Sequence, residues 1–120
     1  MKLIAFDMDG VIFKHDNFWM DLHREYGTLE EGIELTQKYV KTDYQRLVRE
    51  VIGKLWAGKP SKIYFDLINK HPYVKGAEKV FERLRKIKYK TMIISSGPYD
   101  LALRAQNYLG IDYIFANRLP

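Results

Sequence analysis

Asp7 and Asp9 stand two residues apart directly after the apolar run Leu3-Ile4-Ala5-Phe6, and Gly10 follows them. A short unbroken apolar run reads as a strand buried on both faces, as in a parallel sheet. In an extended strand, residues i and i+2 share a face, so both carboxylates are expected to emerge together where the strand ends. Gly10 lets the backbone turn sharply away. The carboxyl ends of such strands are where open α/β sheets bind ligands. Two like charges held there repel unless a cation lies between them. A carboxylate nucleophile, a second carboxylate shuttling a proton and a Mg²⁺ ion would use this arrangement; an acidic turn after a strand is the plainer alternative.

A second pattern supplies what such chemistry would act on. Met92-Ile93-Ile94-Ser95-Ser96-Gly97-Pro98 is again an apolar run that ends in small polar residues. A helix is expected to start at Pro98, and its first turn offers unpaired N–H groups and a positive dipole to a phosphate. The Ser96 hydroxyl can add a donor to a phosphoryl oxygen, and the Gly97 N–H another. Serines before a helix are also common as simple caps. The pairing with Asp-x-Asp-Gly-Val is what makes the pattern specific.

These two strand ends need elements to hold them. The spacing predicts a helix over Asp16–Tyr26, stopped by Gly27. Thr28 and Glu31 form a capping-box pattern for a second helix reaching Val40, and Thr42 with Gln45 repeats it for a third. That third helix carries Tyr44, Leu47, Val48, Val51, Ile52 and Leu55 at helical spacing. Gly58-Lys59-Pro60 breaks the chain, Ser61 opens a short helix to Asn69, and His71-Pro72 ends it. A helix over 76–88 then leads into a strand at Thr91–Ile94. A further helix runs from Pro98 to Gly110, with Leu101, Ala105, Tyr108 and Leu109 facing the sheet, and Tyr113–Ala116 is a last strand. The order implies an α/β fold with a Rossmann-like parallel sheet of three strands. Residues 1–13 and 73–120 form an incomplete core, and a helical cap, residues 14–72, is inserted after strand 1.

Composition narrows the classes. Of the 120 residues, 47% are hydrophobic and 29% charged, the balance of an ordinary globular domain. No apolar run approaches the ~18 residues of a membrane span, and no signal peptide is expected ahead of a strand that begins at once. The lack of cysteine rules out disulfides and thiolate chemistry and is compatible with a reducing cytoplasm, the expected location. The net charge of +5 has its densest run at 79–90, where Val80, Leu84 and Ile87 interleave with six Lys and Arg residues. This reads as an amphipathic helix with a solvated basic face, and no nucleic-acid signature accompanies it. His15 follows the first motif and could line the site, whereas His23 and His71 read as surface and turn residues. Trp19 and Trp56 read as cap-core residues, with substrate platforms as the alternative.

Through Phe6-Asp7-Met8-Asp9-Gly10-Val11 and Ile93-Ile94-Ser95-Ser96-Gly97, the chain resembles the haloacid dehalogenase-like (HAD) superfamily of phosphohydrolases. The segments Ser96–Ala102 and Leu109–Leu119 resemble its phosphoserine phosphatase-like members. The resemblance implies Asp7 as the nucleophile that forms an acyl phosphate and Asp9 as the general acid and base. It implies Mg²⁺ on the Asp7 carboxylate and the Asp9 carbonyl, and Ser96 with Gly97 holding the phosphoryl group. The implied substrate is a small phosphorylated metabolite. Asp16 stands near the acidic residue expected to meet a substrate amino group, or caps the first helix instead. Arg49 stands near the position of a carboxylate-binding arginine, with a solvated helix arginine as the alternative.

The family pattern has two further motifs, a lysine and a second acidic strand end, which are expected beyond Pro120. Without them, weak or no activity is expected from these 120 residues alone. Strand 1 is then an unpaired edge that a second copy or a complementary chain would cover. The competing expectation is a non-catalytic, truncated HAD-like protein that binds phosphate or a partner subunit.

Overall fold

The computed structural model describes residues 2–118, so the Leu119 end of the second phosphoserine phosphatase-like segment lies outside the described residues. The chain divides into two compact units, one of Met1–Phe18 with Ile68–Pro120 and one of Trp19–Leu67. In chain order the elements are β1 (Leu3–Phe6), α1 (Phe18–Tyr26), α2 (Leu29–Tyr39), α3 (Tyr44–Glu50), α4 (Ser61–Lys70), α5 (Ala77–Lys86), β2 (Lys90–Pro98), α6 (Tyr99–Leu109) and β3 (Tyr113–Asn117).

The first unit is built on a parallel sheet of order β1-β2-β3. Leu3 pairs with Lys90 and Phe6 with Ile93, while Met92 pairs with Tyr113. Alternation places Phe6 and Ile93 on the inner face, where the Phe6 ring meets Phe81 of α5 at 4.8 Å and Ile93 is fully buried. The fully buried Leu101, Ala102 and Ala105 are the apolar stripe of α6. On the outer face Leu3, Ile94, Tyr113 and Phe115 remain exposed, and β1 is an edge strand among the described residues.

Several sequence expectations shift here. The buried residues of α5 are Ala77 and Phe81, one i, i+4 pair, so Val80 lies about 100° round the helix and is exposed, as is Ile87 beyond its end. Tyr108 does not face the sheet; it is 56% exposed, stacks on Tyr73 at 4.8 Å and donates its hydroxyl hydrogen to Glu78. Strand β2 does not stop at Ile94 but continues to Pro98, with an irregularity before Pro98 pairs with Asn117. Pro98 is therefore the extended cap residue (φ −74°, ψ 143°), and α6 begins at Tyr99. Gly110, at φ +70°, ends that helix in the left-handed conformation glycine adopts readily.

The second unit is helical around an aromatic cluster. Trp56 lies 6.1 Å from Trp19, 4.7 Å from His23 and 5.7 Å from Tyr26. His23 is 2% exposed, not a surface residue. Its Nδ1 lies 2.7 Å from Thr28 Oγ1, which also accepts from Trp56 Nε1 at 3.2 Å. Thr28 is thereby committed to the ring nitrogens of His23 and Trp56 and makes no side-chain cap bond to α2, so the expected capping box is absent. Helix α3 is capped one residue later than its pattern suggests: Asp43 accepts from Arg46 N–H at 3.1 Å, while the Thr42 hydroxyl donates back to Lys38 O. Tyr44 at its start is half exposed rather than on the packed stripe. Beyond Glu50 the helix widens into a π turn over Val51–Leu55, carrying Trp56 into the cluster.

Gly32 is where α2 admits the His23 ring, since an added Cβ would stand 2.5 Å from it. Burial pushes His23 below its ordinary value, with the Glu31 charge pulling partly the other way. The unfolded chain thus takes up this proton more readily than the folded one. Stability should fall as pH drops through the ordinary imidazole value of ~6.5 toward the lower folded value, then level off. Urea midpoints should be higher at about pH 7.5 than at about pH 5.5, with the gap narrowed in His23→Gln. An unchanged gap in that variant would remove His23 as the cause.

Candidate functional site

Strand β1 ends at Phe6, so Asp7 and Asp9 stand in the bend that follows rather than on an extended face. The bend is organised by the residue between them. The Met8 carbonyl accepts the N–H groups of Val11 (3.3 Å), Ile12 (3.0 Å) and Phe13 (3.1 Å). Its side chain is fully buried. Gly10, at φ +76°, donates to Phe13 O at 2.9 Å and closes the turn in a conformation a β-carbon disfavours.

The two carboxylates end up in different surroundings. Asp7 is exposed and accepts the Met8 N–H at 2.6 Å. Asp9 is partly buried: Oδ1 lies 2.7 Å from His15 Nε2, and Oδ2 accepts the Phe18 N–H at 3.4 Å. That N–H opens α1, so a turn residue nine positions upstream helps cap it. Asp16, exposed, stands two residues before the helix.

The end of β2 meets this bend at Gly97. A Cβ built on Gly97 would come 2.7 Å from Met8 Cε and 3.7 Å from Asp9 Oδ1. The two sequence motifs are therefore adjacent through a backbone that only glycine keeps clear. The Gly97 N–H donates to Ser95 Oγ at 2.9 Å, so Ser95, not singled out from sequence, takes that donor. Ser96 is exposed and its carbonyl accepts from Asn117 Nδ2 at 2.8 Å, which ties the end of β3 to the same place. The Arg118 guanidinium lies 4.2 Å over the Tyr99 ring at the start of α6.

Of the remaining candidates, Trp19 and Arg49 belong to the second unit, where Trp19 packs on Trp56 and Arg49 is exposed on α3. His71, read as a turn residue, is 6% exposed; its ring stacks on Phe18 at 5.4 Å and meets His15 edge-on at 4.1 Å. Arg104 carries the turn that places it, donating to Ile68 O (2.6 Å) and His71 O (2.8 Å) while lying over Tyr73. No sequence spacing marks a contact between residues 15 and 71. Among the described residues no group of three or more His, Cys, Asp or Glu side chains converges on one point. The donors at the end of β1 are hard oxygens, one of them the exposed Asp7 carboxylate. Such a set fits Mg²⁺, which takes one or two carboxylates and completes its shell with water and phosphate.

The sequence matches the haloacid dehalogenase-like hydrolase model over residues 1–119. The chain belongs to this family. It is 29% identical over 121 residues to the phosphoserine phosphatase of Methanocaldococcus jannaschii, covering 98% of this chain and 56% of that protein. Among solved structures, a substrate-bound phosphoserine phosphatase complex superposes with a TM-score of 0.81 at 26% identity, covering 99% of this chain and 57% of the other. A phospho-aspartyl intermediate analogue of phosphoserine phosphatase gives 0.81 at 27% identity, again over 57% of its length. The HAD chain thus spans a little over half the length of these relatives.

Contact between the motifs has a measurable consequence. In Gly97→Ala the new methyl group must displace the buried Met8 or shift the end of β2. Overpacking of this kind costs about 1–3 kcal/mol. Thermal unfolding should show that loss. A wild-type melting temperature would mean that the Met8 side chain yields to the new methyl group without cost.

Proposed function

We propose that this HAD family member acts as a Mg²⁺-dependent phosphohydrolase on a small phosphomonoester through an aspartyl phosphate. The observation that carries the reading is the approach of Gly97 to Met8 and to the Asp9 carboxylate, which brings the two sequence motifs together. Family membership supports the hydrolase class.

The difference between the carboxylates supports giving them different roles. Asp7, exposed, is free to approach an incoming phosphorus, and its attack would form the acyl phosphate. Asp9, held on both oxygens, can give a proton to the departing alcohol and later take one from the hydrolytic water. Ser96 would hold a phosphoryl oxygen, and the Gly97 N–H would join it on leaving Ser95 Oγ. The Asp7 carboxylate and the Asp9 carbonyl would hold Mg²⁺, which neutralises phosphoryl charge when bound. Phosphoryl transfer depends chiefly on such positioning and neutralisation. Asp16, and Trp19 and Arg49 of the helical unit, are proposed to bear on substrate choice and not on the chemistry.

Phosphate release from p-nitrophenyl phosphate, with and without Mg²⁺, tests this reading. Wild-type protein should turn over only with Mg²⁺, and Asp7→Asn should lose more than about a hundredfold, as for a nucleophile. Near wild-type release in that variant would exclude Asp7. Phosphate binding by the wild type without any turnover would favour a non-catalytic binder.

A further inference from the structure

We infer that His15 is a positioning residue that holds the Asp9 carboxylate in its working orientation, an inference that rests on the phosphohydrolase reading above. The His15 side chain is only 6% exposed, and its Nε2 lies 2.7 Å from Asp9 Oδ1. Whenever Asp9 is ionised it only accepts, and the hydrogen of this bond then sits on Nε2. With the Phe18 N–H on Oδ2, both oxygens of Asp9 have a donor, which fixes the plane of the carboxyl group.

The ring itself is tightly held. Its edge meets His71 at 4.1 Å, and it lies 6.1 Å from Phe13 and 6.4 Å from Phe18. The loop that carries it is pinned by Lys14 N–H to Pro72 O (2.9 Å) and by Val74 N–H to Ile12 O (2.8 Å). His15 Nδ1, by contrast, is buried with no hydrogen-bond partner among the described residues. A buried unsatisfied nitrogen is a cost that a phenyl ring of similar shape would avoid in this aromatic setting. The histidine is explained by its other nitrogen. Nε2 reaches the Asp9 carboxylate at 2.7 Å.

Asp9 matters most where the leaving group is a poor one. An alkoxide must be protonated as it departs, whereas p-nitrophenolate is stable enough to leave without an acid. Misplacing Asp9 should therefore injure the two classes of substrate unequally. The test compares kcat/KM, which reports only the steps up to departure of the leaving group, for a simple alkyl phosphate and for p-nitrophenyl phosphate in His15→Phe and His15→Gln. His15→Phe keeps the packing and removes the donor; it should lose about tenfold to a hundredfold on the alkyl ester and change little on the aryl ester. His15→Gln, whose amide nitrogen can restore the donor, should recover most of the loss. Thermal unfolding of both variants controls for folding.

A second readout needs no turnover. Ring ¹⁵N signals of His15 in the wild-type chain should show a proton on Nε2 and should move in Asp9→Asn. Equal losses on both substrates in an active protein, or an Nε2 without a proton, would overturn the assignment to His15. A wild-type chain that turns over neither substrate removes the phosphohydrolase reading for these 120 residues alone, and the ring signals then decide whether His15 holds Asp9.

Discussion

The site depends on Met8. One carbonyl oxygen gathers three N–H groups, which converts the end of a strand into a closed turn within five residues. The same residue's side chain is fully buried and lies against Gly97, so the turn is also seated on the neighbouring strand. With Met8 facing inward, its neighbours cannot follow it. Asp7 is left in solvent on one side, and Asp9 is drawn to His15 and the start of α1 on the other. Two chemically identical carboxylates acquire different environments from one buried residue, which is the separation that a nucleophile and a proton carrier require.

That turn is useful only if β1 and β2 end at the same level. Their parallel register, Phe6 against Ile93, is enforced by burial, because a slip of one residue would move Phe6 off Phe81 and onto the outer face. At the opposite end of the sheet, Asp112 accepts from both the N–H and the hydroxyl of Thr91 and anchors the approach to β3. The inner face is thus fully specified. The outer face leaves Leu3, Ile94, Tyr113 and Phe115 exposed, and β1 is its edge strand among the described residues.

Much of this was legible in the sequence, and the exceptions share a physical cause. The apolar runs gave three parallel strands, and Gly27 and Gly110 ended their helices where left-handed backbone was required. The two motifs also located the strand ends that meet. What periodicity did not contain was side-chain competition. Thr28 has the spacing of a capping box but is taken by His23 and Trp56, and Asp43 displaces Thr42 as the cap of α3. Val80 and Tyr108 have helical spacing but lie off the stripe that the sheet selects. The burial of His71 beside His15 joins residues far apart in the chain, and no local pattern encodes such a contact.

The central claim is that Asp7 takes the phosphoryl group. It can be read directly by exposing the protein to p-nitrophenyl phosphate with Mg²⁺ and quenching with borohydride, which reduces an aspartyl phosphate to homoserine. Peptide mass spectrometry should then find homoserine at position 7, and none after the same treatment without substrate. Phosphate release that leaves Asp7 intact, or homoserine at another aspartate, would contradict the account.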